Sequence, residues 1–236
     1  MNRNSNTYTI IYATVLVVVV AAVLSFAAVM LSEPQAANVL IEKKGAILSS
    51  IGQGQDASSA ANKESYVNEE FSKYITKTFF VDAQGKVTEA DEKSLLDALG
   101  NLPEIFAKGD ALPVFESNEG TYIVPITGKG LWGAIWGYIA IASDGNTILG
   151  ATFDHKSETP GLGAEIATED FSREFKDKKL FENGEFVSID LVKGGGASTS
   201  HEVDAVSGGT LTSNGVRDML KSCLGQYAPF FKLLQN

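Results

Sequence analysis

From Tyr8 to Leu31 the chain carries no charge, and Val, Ala, Leu and Ile dominate. At about 1.5 Å per residue this run outreaches a bilayer hydrocarbon core about 30 Å thick. A cleaved signal has an apolar stretch of only about 7–15 residues behind a basic start, so the run predicts a retained transmembrane helix over 8–31. A short tail, 1–7, precedes it, and Pro34 and Gln35 are expected to leave the span. Asn38 to Ile51 then has helical periodicity, and Gly52 to Asn62, rich in Gly, Gln, Ser and Ala, reads as a linker. Glu64 to Lys77 predicts a helix, Thr78 to Asp82 a strand, Asp91 to Leu99 a helix closed by Gly100, and Pro103 to Asp110 a loop.

From Pro113 the apolar period shortens to that of strands. Thr121 to Thr127 and Ala134 to Ala142 read as strands, and Asp144-Gly145-Asn146 as a turn into Thr147 to Phe153. Glu169 to Phe175 predicts a helix, Val187 to Val192 a strand, and Ser213 to Leu224 a closing helix. The order implies an α+β fold: one transmembrane helix, then an antiparallel sheet with flanking helices. The division reads as a mixed membrane-proximal region over 32–112 and a ligand-binding domain over 113–236.

Charge narrows the partners. A formal net charge of −10 over 236 residues speaks against nucleic acid or an anionic membrane surface. Arg3 is the only basic side chain before the span and Glu33 the nearest charge after it, a weak lean toward an N-terminus inside. The lone cysteine, Cys223, keeps step with Val216, Met219, Leu220 and Leu224, which predicts a buried structural thiol and leaves no internal disulfide or cysteine cluster.

Candidate chemistry concentrates in Asp204-Ala205-Val206-Ser207-Gly208-Gly209-Thr210-Leu211-Thr212-Ser213. Glycines and hydroxyls directly before a helix suit a phosphate, because the first helical N–H groups are free and the dipole is positive there. The same residues also cap ordinary helices. The stretch resembles the Asp-x-x-Ser/Thr-Gly-Ala-Thr motif of proteins that carry FMN on a threonine through a phosphoester. Asp204, Ser207 and Gly208 match, Gly209 replaces the alanine, and Thr210 falls on the acceptor threonine; Thr212 is the alternative hydroxyl.

A second stretch, Glu158-Thr159-Pro160-Gly161-Leu162-Gly163, resembles a loop of the same FMN-binding domains. Thr-Pro-Gly makes a turn. Gly163 leaves room for a flat ring, Thr159 has a hydroxyl for the ring edge, and Leu162 can cover its face. Between two strands, Gly128-Lys129-Gly130-Leu131-Trp132-Gly133 lacks the spacing of a nucleotide P-loop. It resembles instead a segment of the C subunit family of the sodium-translocating NADH:quinone oxidoreductases. Trp132 is expected chiefly to fill core, with walling of the flavin as the alternative.

Anchor and motifs resemble that family over nearly the whole chain; the related G subunit of Rnf complexes shares them but is shorter before its domain. The resemblance implies one covalent FMN relaying electrons, partners in a bacterial inner-membrane complex of six subunits, and a periplasmic domain. It also implies a flavin transferase that loads Thr210 from FAD. NADH binding and ion transport fall to partners, since no Gly-x-Gly-x-x-Gly follows a strand and the span holds no charge.

Competing readings are a tethered flavin module with a sensory or assembly role, and a hydrolase using Ser207 or Ser213 with His201 and Asp204. The latter lacks a Gly-x-Ser-x-Gly elbow. His155 and His201 read as loop residues, and His201, Glu202 and Asp204 as a weak metal pattern. Lys193-Gly194-Gly195-Gly196 is either a plain loop or a lysine and free backbone near the flavin phosphate.

Overall fold

The computed structural model describes residues 6–235, and the chain divides between Glu42 and Lys43 into two compact units. One helix, α1 (Asn6–Ser50), runs through the division. In the first unit Val17, Val18, Leu24, Phe26 and Val29 are all exposed, and α1 is the one described helix long and apolar enough to cross a membrane. A core helix of the same composition would be buried, so its apolar surface needs lipid or a partner. Pro34 lies inside the helix rather than ending it. Proline removes one backbone bond and strains one turn, which a long helix of strong formers on both sides absorbs.

Residues 43–236 build the second unit around a six-stranded antiparallel sheet. Its strands are β1 (Ile75–Val81), β2 (Val87–Glu89), β3 (Leu112–Ser117), β4 (Tyr122–Lys129), β5 (Ala134–Ile141) and β6 (Ile148–His155), in the order β2-β1-β3-β4-β5-β6. Two of the six come from ahead of Pro113. Helices α2 (Lys63–Tyr74), α3 (Glu92–Ala98) and α4 (Leu102–Lys108) precede β3. The helix α4 replaces the loop expected over 103–110: Pro103 sits in its first turn, where the missing N–H is harmless, and Gly109 ends it in the left-handed region.

Strand alternation sorts the sheet into two faces. Val114, Val124, Ile126, Ile135 and Ile139 point into the main core with α6 (Thr210–Leu234) and the short α5 (Glu169–Arg173). Phe115, Ile123 and Tyr138 alternate onto the other face, where Phe71 of α2 meets Phe115 edge-on at 6.1 Å. Small strand pairs complete the unit: β7 (Phe181–Glu182) with β8 (Glu185–Phe186), and β9 (Asp190–Val192) parallel to β10 (Glu202–Asp204).

The helix α6 is laid along β3 and β4 by every fourth residue. A Cβ on Gly215 would strike the Lys129 carbonyl, so the backbones touch there. Met219 packs on Gly128, the Cys223 thiol donates to Thr127 O at 3.2 Å, and the Tyr227 hydroxyl donates to Pro113 O at 2.9 Å. Cys223 is buried, as its spacing predicted, and burial pushes its thiol pKa up. The helix starts at Thr210, three residues before the expected Ser213, and passes Gly225 and Pro229. This alignment carries the N-terminus of α6 to the Gly128–Gly133 loop.

Candidate functional site

Three segments meet around one carboxylate. Glu158 is only 5% exposed, yet its Oε1 accepts the N–H of Trp132 at 2.8 Å and of Gly133 at 3.3 Å. Its Oε2 accepts the Thr212 hydroxyl at 2.5 Å. Burial by itself would raise the carboxyl pKa, but the donors from Thr212, Trp132, Gly133 and Leu131 outweigh it and hold Glu158 ionised below its ordinary range. Glycine makes the space: a Cβ on Gly130 would stand 2.6 Å from Oε1, and one on Gly163 2.6 Å from Oε2. The Glu158 N–H donates to Nδ1 of His155 at 3.1 Å, so that ring nitrogen is the unprotonated one.

From this clasp the chain turns sharply. Leu162 N donates to Thr159 O at 3.1 Å, with Pro160 first in the bend and Gly161 at φ +74° second, the residue order a type II turn requires. Glu165 steadies it by accepting the Gly161 N–H at 3.0 Å. A matching turn closes before α6: Gly209 N donates to Val206 O at 3.1 Å with Gly208 at φ +73°. The buried Ser213 hydroxyl fixes that turn by accepting Val206 N at 3.1 Å. The two turns lie against each other, since a Cβ on Gly208 would come within 2.6 Å of Leu162 Cδ2 and one on Gly209 within 3.4 Å of Gly163 Cα.

Thr210 is the first residue of α6, half-buried, and its hydroxyl has no hydrogen-bond partner among the described residues. Helices α2, α3 and α5 are capped by the side chains of Asn62, Asp91 and Thr168, whereas α6 has none. The α6 N-cap is Gly209, and Ser213 N is the first amide to find a backbone acceptor, at Gly209 O. The N–H groups of Thr210, Leu211 and Thr212 therefore remain available at the positive end of a 25-residue helix. A phosphate on the Thr210 oxygen fits this end by charge and by hydrogen-bond count.

Thr212 differs from Thr210 in every respect that matters for attachment. It is 1% exposed and its hydroxyl is committed to Glu158. Ser207 and Gly208 are exposed at the turn, with Gly209 buried behind them. Thr159, Gly161 and Leu162 lie exposed beside it. Asp204 stands back from the turn, its Oδ1 accepting Ala197 N at 3.0 Å and its own N–H donating to Glu174 at 2.6 Å.

Trp132 departs from expectation: it is 66% exposed and fills no core. Glu158 draws the backbone amides at 132 and 133 inward, which leaves the indole outside. Leu131, Leu162 and Leu211 are likewise exposed, so apolar side chains from all three segments stand in the open around the turns. The signal for the clasp itself, a glutamate at the head of a glycine-rich loop, was in the sequence, but nothing there paired it with Thr212.

The other candidates are not assembled. His201 Nδ1 donates to Lys179 O at 2.6 Å, and no hydrogen bond joins it to Ser207, Ser213 or Asp204 among the described residues. Glu202 caps the 198–199 amides, and among the described residues no group of three or more His, Cys, Asp or Glu is disposed to hold a metal ion. Lys193, Gly194 and Gly195 form an exposed loop, with both glycines in the left-handed region.

Fold and site together define a flavin-binding domain behind a single apolar helix. The profile of the FMN-binding domain matches residues 130–225, which takes in all three segments of the clasp. The C subunit of the Na(+)-translocating NADH-quinone reductase of Vibrio anguillarum is 32% identical over 258 residues, covering 100% of this chain and 97% of the relative. Among solved structures, its counterpart from Parabacteroides distasonis aligns with a TM-score of 0.71 at 38% identity, over 85% of this chain and 96% of its own. NqrC of Shewanella oneidensis aligns with a TM-score of 0.66 at 30% identity, over 82% and 96%. The chain belongs to the family of C subunits of the Na(+)-translocating NADH-quinone reductases.

Proposed function

We propose that this chain carries FMN as a phosphoester on Thr210 and relays electrons between partner subunits of a sodium-translocating NADH-quinone reductase. The observation that carries the assignment is the contrast at the start of α6. Thr210 presents an unengaged hydroxyl at a helix end without a side-chain cap, while Thr212 is buried and bonded to Glu158. The amides of Thr210, Leu211 and Thr212 would hold the phosphate, and the Ser207 hydroxyl lies beside it in sequence. Trp132, Leu162 and Leu211 would offer apolar surface to the ring, with Thr159 as a polar contact and Gly161 leaving the backbone open. Gly163, expected to leave room for the ring, is instead buried against Thr212 and Glu158, where its missing side chain makes room for the clasp. FMN, when bound, supplies reversible electron acceptance; the protein positions it and sets its surroundings.

Loading needs a flavin transferase with FAD as donor. The Thr210 Oγ forms a bond to the phosphorus on the riboflavin side, the P–O–P bridge breaks, AMP leaves, and the hydroxyl proton passes to the transferase. A phosphoester keeps the cofactor from being lost by a domain outside the cytoplasm. The helix over 8–31 anchors the chain as a single pass of the bacterial inner membrane, with residues 43–236 on the periplasmic side and the rest of a complex of six subunits as neighbours. Arg3 before the span and Glu33 after it support that orientation.

The test is co-expression with a flavin transferase, then peptide mass spectrometry and in-gel fluorescence. An FMN-sized adduct on the 204–213 peptide that survives Thr212→Ala and disappears with Thr210→Ala is the expected result. An adduct that disappears only with Thr212→Ala would move the attachment, and no adduct in the parent chain would remove the covalent reading.

A further inference from the structure

On the sheet face away from α6, a cavity of about 190 Å³ lies between β4–β5, the α3–α4 junction and the first residues of the second unit. Its walls include Leu99, Leu102, Trp136 and Tyr138, and Lys43 reaches it from α1. Two of these side chains end in donors that the protein leaves unused. Tyr138 is 4% exposed, and its hydroxyl has no hydrogen-bond partner among the described residues. The half-buried Lys43 ammonium makes no hydrogen bond or ion pair there either.

Their nearest equivalents behave differently. Lys44, the next residue, is bonded to Asn68 at 2.8 Å and to Glu92 at 2.7 Å. The other deeply buried tyrosine, Tyr227, donates to Pro113 O. Neither polar end is cut off from solvent, and Asp97 acts on Lys43 through charge without a hydrogen bond, so both donors are free to take an acceptor that enters the cavity. Burial lowers the Lys43 pKa against the pull of Asp97, and it raises that of Tyr138, which keeps the phenol a donor.

We propose that this cavity binds a small monocarboxylate with an apolar body, its oxygens accepting from Lys43 and Tyr138 and its body lying on Leu99, Leu102 and Trp136. Both polar groups donate, which selects an anionic head; a single ammonium and one hydroxyl suit a carboxylate better than a phosphate, which gathers several amides. The volume falls below the roughly 300–1,000 Å³ of drug-sized sites, so the body is a short acyl chain or a single ring. The site is independent of the flavin assignment.

Trp136 lines the cavity and Trp132 is the only other tryptophan, so Trp132→Phe leaves one reporter in place. Full-length Trp132→Phe chain in nanodiscs is titrated with hexanoate and with hexanol, with empty nanodiscs subtracted. Saturable fluorescence change with hexanoate, and none with hexanol over the same range, is expected. Lys43→Met should weaken hexanoate about tenfold, Tyr138→Phe about threefold, and Lys43→Arg should largely restore it. Equal response to hexanol, or no saturable response to hexanoate in the chain with both donors intact, overturns the proposal whether or not the variants fold.

Discussion

The two ends of α6 are built by opposite means. Toward the C-terminus, Tyr227, Phe230 and Phe231 are buried, and their rings pack on one another and on Phe79, Phe106 and Tyr122 at 5.3–6.0 Å. That end is anchored by dispersion and hydrophobic burial. Toward the N-terminus the helix is held by a carboxylate and by turns, and the apolar side chains Leu131, Trp132, Leu162 and Leu211 face out. A single helix thus has one end that secures the domain and one that leaves a hydroxyl and three amides available. Substitutions at the two ends should accordingly separate stability from cofactor loading.

The largest effect is expected from Thr210→Ala. It should abolish the FMN adduct while shifting unfolding free energy by no more than about 0.5 kcal/mol, because the lost hydroxyl bonds to nothing. Thr210→Ser should keep an adduct. Mass spectrometry and denaturant melts of the same preparations check both halves, and a large loss of stability would break the contrast. The mirror experiment is Phe231→Ala, fully buried at the other end. Deleting the ring should destabilise the second unit by about 3–5 kcal/mol, with the adduct still present on the folded fraction.

Glu158→Gln comes next, at about 1–2 kcal/mol, since charge-assisted bonds to Thr212, Trp132 and Gly133 become neutral ones. Its pH dependence has a definite sign. The folded-state pKa lies below the ordinary glutamate value of 4.5, so the unfolded chain binds the proton more readily. The stabilisation is therefore complete above that value and is lost as pH falls through the depressed one. Denaturant melts from neutral to acid pH should show the two proteins converging; a constant difference would mean that the carboxylate charge is not what holds the loops.

Much of this contrast could be read along the chain, and what could not has a physical cause. The β4–β5–β6 meander was legible because Thr121–Thr127, Ala134–Ala142 and the Asp144-Gly145-Asn146 turn each carry their own local pattern. Cys223 was legible because helical periodicity alone decides its face. The short α4 was not: a seven-residue helix with a proline in its first turn has too few periods to show. Nor were the ends of α6, because Gly225 and Pro229 break the local pattern while packing against the sheet overrides it. At the site, each motif marked its own turn. Their contact, and the division of labour between Thr210 and Thr212, depend on Glu158 reaching 54 residues along the chain to Thr212, and no local pattern encodes that.

The smallest effect sharpens the comparison most finely. Tyr227 is the C-terminal end's own buried polar anchor, donating to Pro113 O at 2.9 Å with Pro125 O at 3.4 Å. Tyr227→Phe keeps the ring and its packing and removes only the donor, so about 1 kcal/mol should be lost. Burial holds the phenol pKa well above its ordinary value, so the hydroxyl stays neutral from acid to mildly alkaline pH in folded and unfolded chains alike. No proton is taken up or released on unfolding through this group in that range, and its contribution should be flat with pH. Melts of Tyr227→Phe and Glu158→Gln across the same acid range therefore test whether α6 is held by charge at one end only. A Tyr227→Phe difference that shrinks in acid alongside that of Glu158→Gln would show the two ends to be electrostatically coupled, and the separation of anchoring from cofactor loading would fail.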